Sequence, residues 1–233
     1  MGMVQSGKRP LRALPGTVLW KDRIRRCNTW RVDESKPIVI TAYDPGWPDR
    51  FNEIHGYVWP AVSGLALRID HVGSTAVAGL AAKPIIDMDI VVAGNDLIAP
   101  TIERLAAIGY EWVGDLEVEG REAFELVSER PLPEHHLYLV VENNRAHVDH
   151  WLLRELLSQD ADTRDRYAAL KRENARVAAG DLRVYTARKA SLVAQLLRSA
   201  RQQRQLPEVT YWVPTPDELL PPKPRDEKLD QPR

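Results

Sequence analysis

DHVGSTAVAGLAAKPIIDMDIVV, residues 70–92, decides how the rest of this 233-residue chain is read. Residues 68–72 read as a short strand that runs into Gly73 and Ser74. Small residues follow, then a second apolar run interrupted by Asp87 and Asp89. Residues two apart on a strand share a face, so both carboxylates point one way while Ile86, Met88 and Ile90 point into a core. Two acids on one face repel unless a cation sits between them, and hard oxygen ligands at that separation suit Mg²⁺ bound with waters and substrate phosphates. With no Cβ on Gly73 a phosphate can approach the backbone, and the Ser74 hydroxyl with N–H groups at a helix start donates to its oxygens. The competing reading is an edge strand with its polar face in water. Acids buried on an otherwise apolar strand cost free energy unless a metal or partner offsets it.

Outward from this stretch the pattern is mixed. Residues 38–42 have strand character, and Asp44-Pro45 turns the chain into a helix over about 47–64, whose buried face carries Phe51, Ile54 and Val58 and which Pro60 kinks or breaks. Asn95 or Asp96 caps a helix to about Ala107, and Gly109 ends it. Strands at 110–113, 124–128 and 137–141 complete a small mixed sheet. From His147 onward the spacing turns helical, through Trp151, Leu156, Tyr167, Leu170, Val177, Val184, Leu192 and Leu196, which predicts three consecutive helices.

The order of an apolar residue, Gly-Ser, a dozen residues and then Asp-apolar-Asp-apolar resembles the signature of the DNA polymerase β-like nucleotidyltransferase superfamily. The longer string HVGSTAVAGLAAKPIID, residues 71–87, is similar to the GrpB family within it. The resemblance runs from YDPGWPDRF (43–51) through HHLYLV (135–140) and YAALK (167–171) to VYTARK (184–189), and so covers roughly residues 38–200. It implies an α+β (mixed α/β) fold, a nucleotidyltransferase-like small mixed sheet flanked by helices, with a C-terminal helical part. It implies Mg²⁺-dependent attack by an acceptor hydroxyl, amine or carboxylate on the α-phosphorus of a nucleoside triphosphate, ATP first among them, with pyrophosphate leaving. An adenylate-forming ligase on the same site and a non-catalytic nucleotide-binding or regulatory module are the alternatives.

Carried onto this chain, Asp87 and Asp89 are catalytic and hold metal, while Gly73 and Ser74 cradle phosphate. Lys83, His136, Arg154, Lys171, Tyr185 and Lys189 match positions suited to triphosphate or acceptor. Lysines on helices are also commonly just solvated, and Tyr185 has a plain packing role as its alternative. Polymerase β-like enzymes use a third carboxylate on a neighbouring strand; Glu125 is the first candidate, with Glu142 and Asp149 behind it. The chain departs from the family pattern at Tyr138, where a second histidine is common, and at 153–157, LRELL, where Phe-Arg-Asp-Tyr-Leu is common. His147 and His150, three apart, form a competing zinc constellation without a His-Glu-x-x-His or Cys-x-x-Cys partner. No Walker loop, dinucleotide glycine fingerprint or Gly-x-Ser-x-Gly elbow is present.

Thirty-two Lys and Arg against 33 Asp and Glu leave a net charge of −1, so composition makes no case for nucleic acid as partner. Cys27 is the only cysteine, which excludes an internal disulfide and fits a reducing cytoplasm. No segment reaches transmembrane length. Residues 1–37 read as an N-terminal extension without a secretory signal, 38–204 as the domain, and 205–233 as a flexible tail. Gly2 with Ser6 matches only the bare myristoylation pattern. Lys21, Arg23, Arg25 and Arg26 read as a solvated face. The segment 17–32, with Trp20 and Trp30, reads as an added element. The tail carries seven prolines, and only Tyr211, Trp212 and Val213 look able to dock.

Overall fold

The computed structural model describes residues 37–116 and 118–214. The Gly2 pattern, the 17–32 segment and residues 215–233 lie outside the described residues.

Helix α1 (Trp47–Val62) begins one residue after Gly46 and carries Pro48 in its first turn, where a missing N–H costs nothing. Pro60 lies inside it without ending it. Strand β1 (Ala66–Val72) leads into a single 3₁₀ turn (Ser74–Ala76) rather than a longer helix, and β2 (Ile86–Val92) follows. A second 3₁₀ turn (Asn95–Leu97) opens α2 (Ile98–Ala106). The chain continues through β3 (Tyr110–Gly114), β4 (Arg121–Leu126) and β5 (His135–Val141). Three helices close the fold: α3 (Arg145–Gln159), α4 (Ala161–Ala178) and α5 (Leu182–Gln203). Each starts on an acceptor side chain, Asn144, Asp160 and Asp181 respectively, that takes up backbone N–H groups of the first turn. The fold is mixed α+β, a small sheet flanked by helices with a C-terminal helical part.

The strands form a sheet in the order β1-β2-β5-β4-β3, with β2 and β5 parallel and the other pairs antiparallel. This overturns the expectation that the Glu125 strand neighbours the Asp87 strand, because β5 lies between them. The reason is burial: Leu137 to Val140 are all buried and suit a central strand. By contrast β3 exposes Glu111 and Trp112 and suits an edge. Residues 38–42 do not form a strand; Thr41 makes one isolated bridge to Ala82.

The two faces of the sheet have different jobs. Ile86, Met88, Ile90, Leu137 and Leu139 pack against Trp47, Ile54, Val58 and Leu105 of α1 and α2 in the main core. Full burial of each such side chain contributes about 1.5–3 kcal/mol. The opposite face carries Asp87, Asp89, His136 and Tyr138 and lies under α3, α4 and α5. That second layer has its own apolar contacts, Val91 and Val140 with Ala146, and Val77, Leu80 and Leu157 with Tyr167.

Candidate functional site

Register brings the polar face together. Asp87 stands beside His136 and Asp89 beside Tyr138 across the β2/β5 pair, while Asp70 faces Asp89 across β1/β2. Asp87 and Asp89 share a face, as strand alternation requires, but they do not share an environment. His136 Nδ1 lies 2.8 Å from Asp87 Oδ1. Asp89 is fully buried, with both carboxylate oxygens 2.9–3.1 Å from His150 Nδ1 on α3. Burial alone would raise the Asp87 carboxyl, yet the His136 hydrogen bond and the charges of His136, Lys83 and Lys189 hold it below the ordinary range. Burial likewise disfavours charge on His150, and Asp89 more than offsets it.

The Gly73-Ser74 turn is built against Asp87. Gly73 has φ +69, and a Cβ there would fall 2.2 Å from Asp87 Oδ2, so only glycine admits the carboxylate so close to the turn. Ser74 is held by a side-chain hydrogen bond with buried Tyr167 of α4. His71 and Thr75 complete the support, with His71 Nε2 3.0 Å from Thr75 Oγ1 and its ring stacked on Phe51 at 4.8 Å. Burial drives His71 down to about 4, so it is neutral and fixes the turn by hydrogen bonding. Helical spacing marks Phe51 and Tyr167 as packing positions and leaves His71 without a role; their contacts at the turn cross elements and leave no local spacing signal.

A cavity of about 530 Å³ opens beside this turn, lined by Ser74, Asp87, Lys83, Lys171, Tyr185 and Lys189 among others. Lys171 is 2% exposed, its Nζ makes no hydrogen bond, and it sits 4.8 Å from the centre of the Tyr167 ring. Desolvation, aided by the charge of Lys189, lowers Lys171 from 10.5 to about 7. Lys83 is lowered for the same two reasons. Both Lys83 and Lys189 lie over the buried Tyr185 ring, at 5.8 and 5.9 Å, and burial pushes the Tyr185 phenol up to about 12. A loop lysine, Lys83, and two helix lysines, Lys171 and Lys189, whose local sequence reads equally well as solvated, thus surround one space beside Asp87.

The remaining candidates divide clearly. Glu125 lines the same cavity as His136. Glu142 instead pairs with Arg68 at 2.7 Å, and Asp149 with Arg201 at 2.7 Å. Arg154 donates through Nη1 to the His71 carbonyl at 2.7 Å and lines a second, smaller chamber. The zinc constellation does not assemble: His150 goes to Asp89, whereas His147 lies 3.1 Å from Arg68 Nη2 and 3.8 Å from Asp70. Among the described residues no group of three or more His, Cys, Asp or Glu is placed to hold a metal by itself. The donor set fits Mg²⁺ of a particular kind: Asp87 offers one half-buried carboxylate beside a cationic cavity, as suits an ion that arrives on substrate phosphates. Asp89 fits only on exchange of its histidine partner.

No described helix is long and apolar enough to cross a membrane. Residues 37–199 match the family described as GrpB protein. A UPF0157 protein of Halalkalibacterium halodurans is 31% identical over 175 residues, covering 72% of this chain and 87% of that one. A protein of Mycolicibacterium paratuberculosis named dephospho-CoA kinase is 28% identical over 196 residues, and this chain spans 48% of it, about half its length. The crystal structure of conserved protein GrpB from Enterococcus faecalis superposes with a TM-score of 0.63 at 24% identity, covering 72% of this chain and 99% of that one.

Proposed function

Because this chain belongs to the GrpB family, we propose that it moves a nucleoside monophosphate from a nucleoside triphosphate, ATP first among them, to an acceptor. The observation that carries the reading is the convergence of Lys83, Lys171 and Lys189 with Ser74 and Asp87 on one cavity. A triphosphate is a compact polyanion, and ammonium groups in a partly dehydrated space attract it more strongly than they would in water. Lys171 Nζ has no hydrogen-bond partner, so a phosphate oxygen would supply one and offset the cost of burying it. Mg²⁺ bound with the phosphates would neutralise charge on the reacting phosphoryl group and the leaving oxygen. Asp87 is the residue that would hold it, joined by Asp89 after His150 releases that carboxylate. Ser74 donates to a phosphate oxygen, and the lysines stabilise charge on the departing pyrophosphate.

The ligase variant uses the same site with a carboxylate as the first acceptor. A second reading, a nucleotide-binding module without turnover, is favoured by one observation: β5 brings up His136 and Tyr138 beside the two acids, and Asp70, the acid that β1 brings opposite Asp89, is paired with Arg68 at 3.0 Å. We assign the protein to the cytoplasm, on the strength of a single cysteine. The domain is assigned to 38–204, between an N-terminal extension and a C-terminal tail.

The test incubates the full chain with each triphosphate, Mg²⁺ and a metabolite pool, and follows pyrophosphate and nucleotide-bearing products. Asp87→Asn keeps the side chain's shape and removes its charge, so it should lower transfer by about 100-fold or more with the fold intact. Triphosphate binding without pyrophosphate release for any acceptor would favour the binding module. Absence of Mg²⁺-dependent triphosphate binding would sink both readings.

A further inference from the structure

Asp87 and Ser74 stand on a divide between two spaces. On one side is the lysine-lined cavity; on the other is a chamber of about 260 Å³, whose lining includes Leu153, Arg154 and Leu157 of α3 and Val193 of α5. Arg121 and Lys189 line both spaces. Leu153, Leu157 and Val193 make an apolar floor, and the charged groups above it are unbalanced. Three basic side chains, Arg121, Arg154 and Lys189, face one carboxylate, Asp87, which already has His136 as a partner.

Two of those cations are held in place with donors to spare. The bond from Arg154 Nη1 to the His71 carbonyl fixes the guanidinium, and Arg154 forms no ion pair among the described residues. A guanidinium carries five N–H donors in a rigid fork that matches a carboxylate or phosphate in bidentate fashion. Arg121 lies 4.4 Å from the centre of the Tyr138 ring, and its buried Nε has no hydrogen-bond partner. The chamber's volume of about 260 Å³ suits a small metabolite.

We propose that this chamber is the acceptor subsite and that the acceptor is a small molecule whose carboxylate or phosphate docks on Arg154. Arg121 and Lys189 flank it, and its hydroxyl or amine is presented toward Asp87 and Ser74. This rests on the transfer reading above. In the step, the acceptor oxygen or nitrogen forms a bond to the α-phosphorus with its lone pair. The bond from that phosphorus to the bridging oxygen breaks, pyrophosphate leaves with the electron pair, and the acceptor proton passes to solvent.

The subsite can be tested without nucleotide, so its outcome is read separately from that of the transfer assay. The full chain is titrated calorimetrically with succinate, with glycerol phosphate and, as a neutral control, with glycerol. One or both anions should bind saturably and glycerol should not, and the preferred anion tells carboxylate from phosphate. Arg154→Gln should weaken that binding by about tenfold or more, as loss of a charged hydrogen-bonding partner does. Val193→Trp, which fills the chamber without touching a charge, should do the same while the circular dichroism spectrum stays native. Lys83→Met reports on the larger cavity alone. Anion binding that survives Arg154→Gln and is lost in Lys83→Met would overturn the assignment. So would the absence of saturable binding by about 10 mM, or equal labelling of neutral and anionic acceptors in the transfer assay.

Discussion

Lys171 is the residue at which sequence and structure differ most in meaning. It lies four positions after Tyr167 on α4, so helical spacing stacks the two, and tertiary packing closes over the ammonium. Burial then lowers it from 10.5 to about 7, and the sign of the consequence follows from proton counting. Between those values the unfolded chain holds the proton and the folded chain does not, so stability rises with pH across that window, by at most about 1.4 kcal/mol per pH unit for one proton. Lys171→Met should therefore stabilise the protein most near pH 6 and flatten the rise above pH 7. Urea midpoints of wild type and variant across that range check it; parallel curves would show that Lys171 keeps its charge by another route. Gly73 is the opposite case. Glycine before Ser74 was legible as a point of close approach, and the group that approaches is Asp87 itself.

At the scale of elements, α3 organises the polar face. His147, His150 and Arg154 recur at intervals of three and four, so one helix face meets Asp70, Asp89 and the end of β1 in turn. The helix starts on Asn144, whose Oδ1 accepts from the His147 N–H at 2.9 Å. Losing that cap should cost about 1 kcal/mol, and it should also loosen the first turn that carries both histidines. Asn144→Ala is expected to lower the denaturation midpoint accordingly. Histidine NMR resonances of His147 and His150 should shift with it, and unchanged resonances would separate the cap from the site. The helices and most strands were legible because their apolar spacing is local. Strand order was not, since β5 pairs with β2 across some fifty intervening positions and no local pattern encodes which neighbour wins. The same holds for the lysine cavity: Lys83, Lys171 and Lys189 were named singly from motifs, and only the packing of α4 and α5 over the sheet makes them one group.

At the scale of the whole molecule, one sheet face holds the core and the other holds the site, and the helical layer over the site is secured by chain that reads as tail. Arg201 near the end of α5 bonds Asp149 of α3 at 2.7–2.9 Å, the Tyr211 hydroxyl at 2.9 Å and the Pro207 carbonyl at 3.2 Å. Arg145 donates to the Thr210 carbonyl at 2.9 Å. Leu206 and Tyr211 pack with Val148, Leu152 and Leu197. A composition of proline and charge hid this, because two apolar residues suffice when they meet a groove between two helices that is already formed. The segment therefore clamps α3 to α5, and α3 carries His150 and Arg154. Chains ending after Arg204 and after Pro214 should differ in stability by about 2–3 kcal/mol, from two half-buried side chains and the loss of partners for Arg201. The shorter chain should also bind the small anion less tightly, because α3 and α5 both line the smaller chamber. Thermal melts and the succinate titration on the two chains check the claim together. Equal melting temperatures would mean that the Asp149–Arg201 pair holds the helices without help from Tyr211, and equal anion affinity in a destabilised chain would separate the clamp from the site.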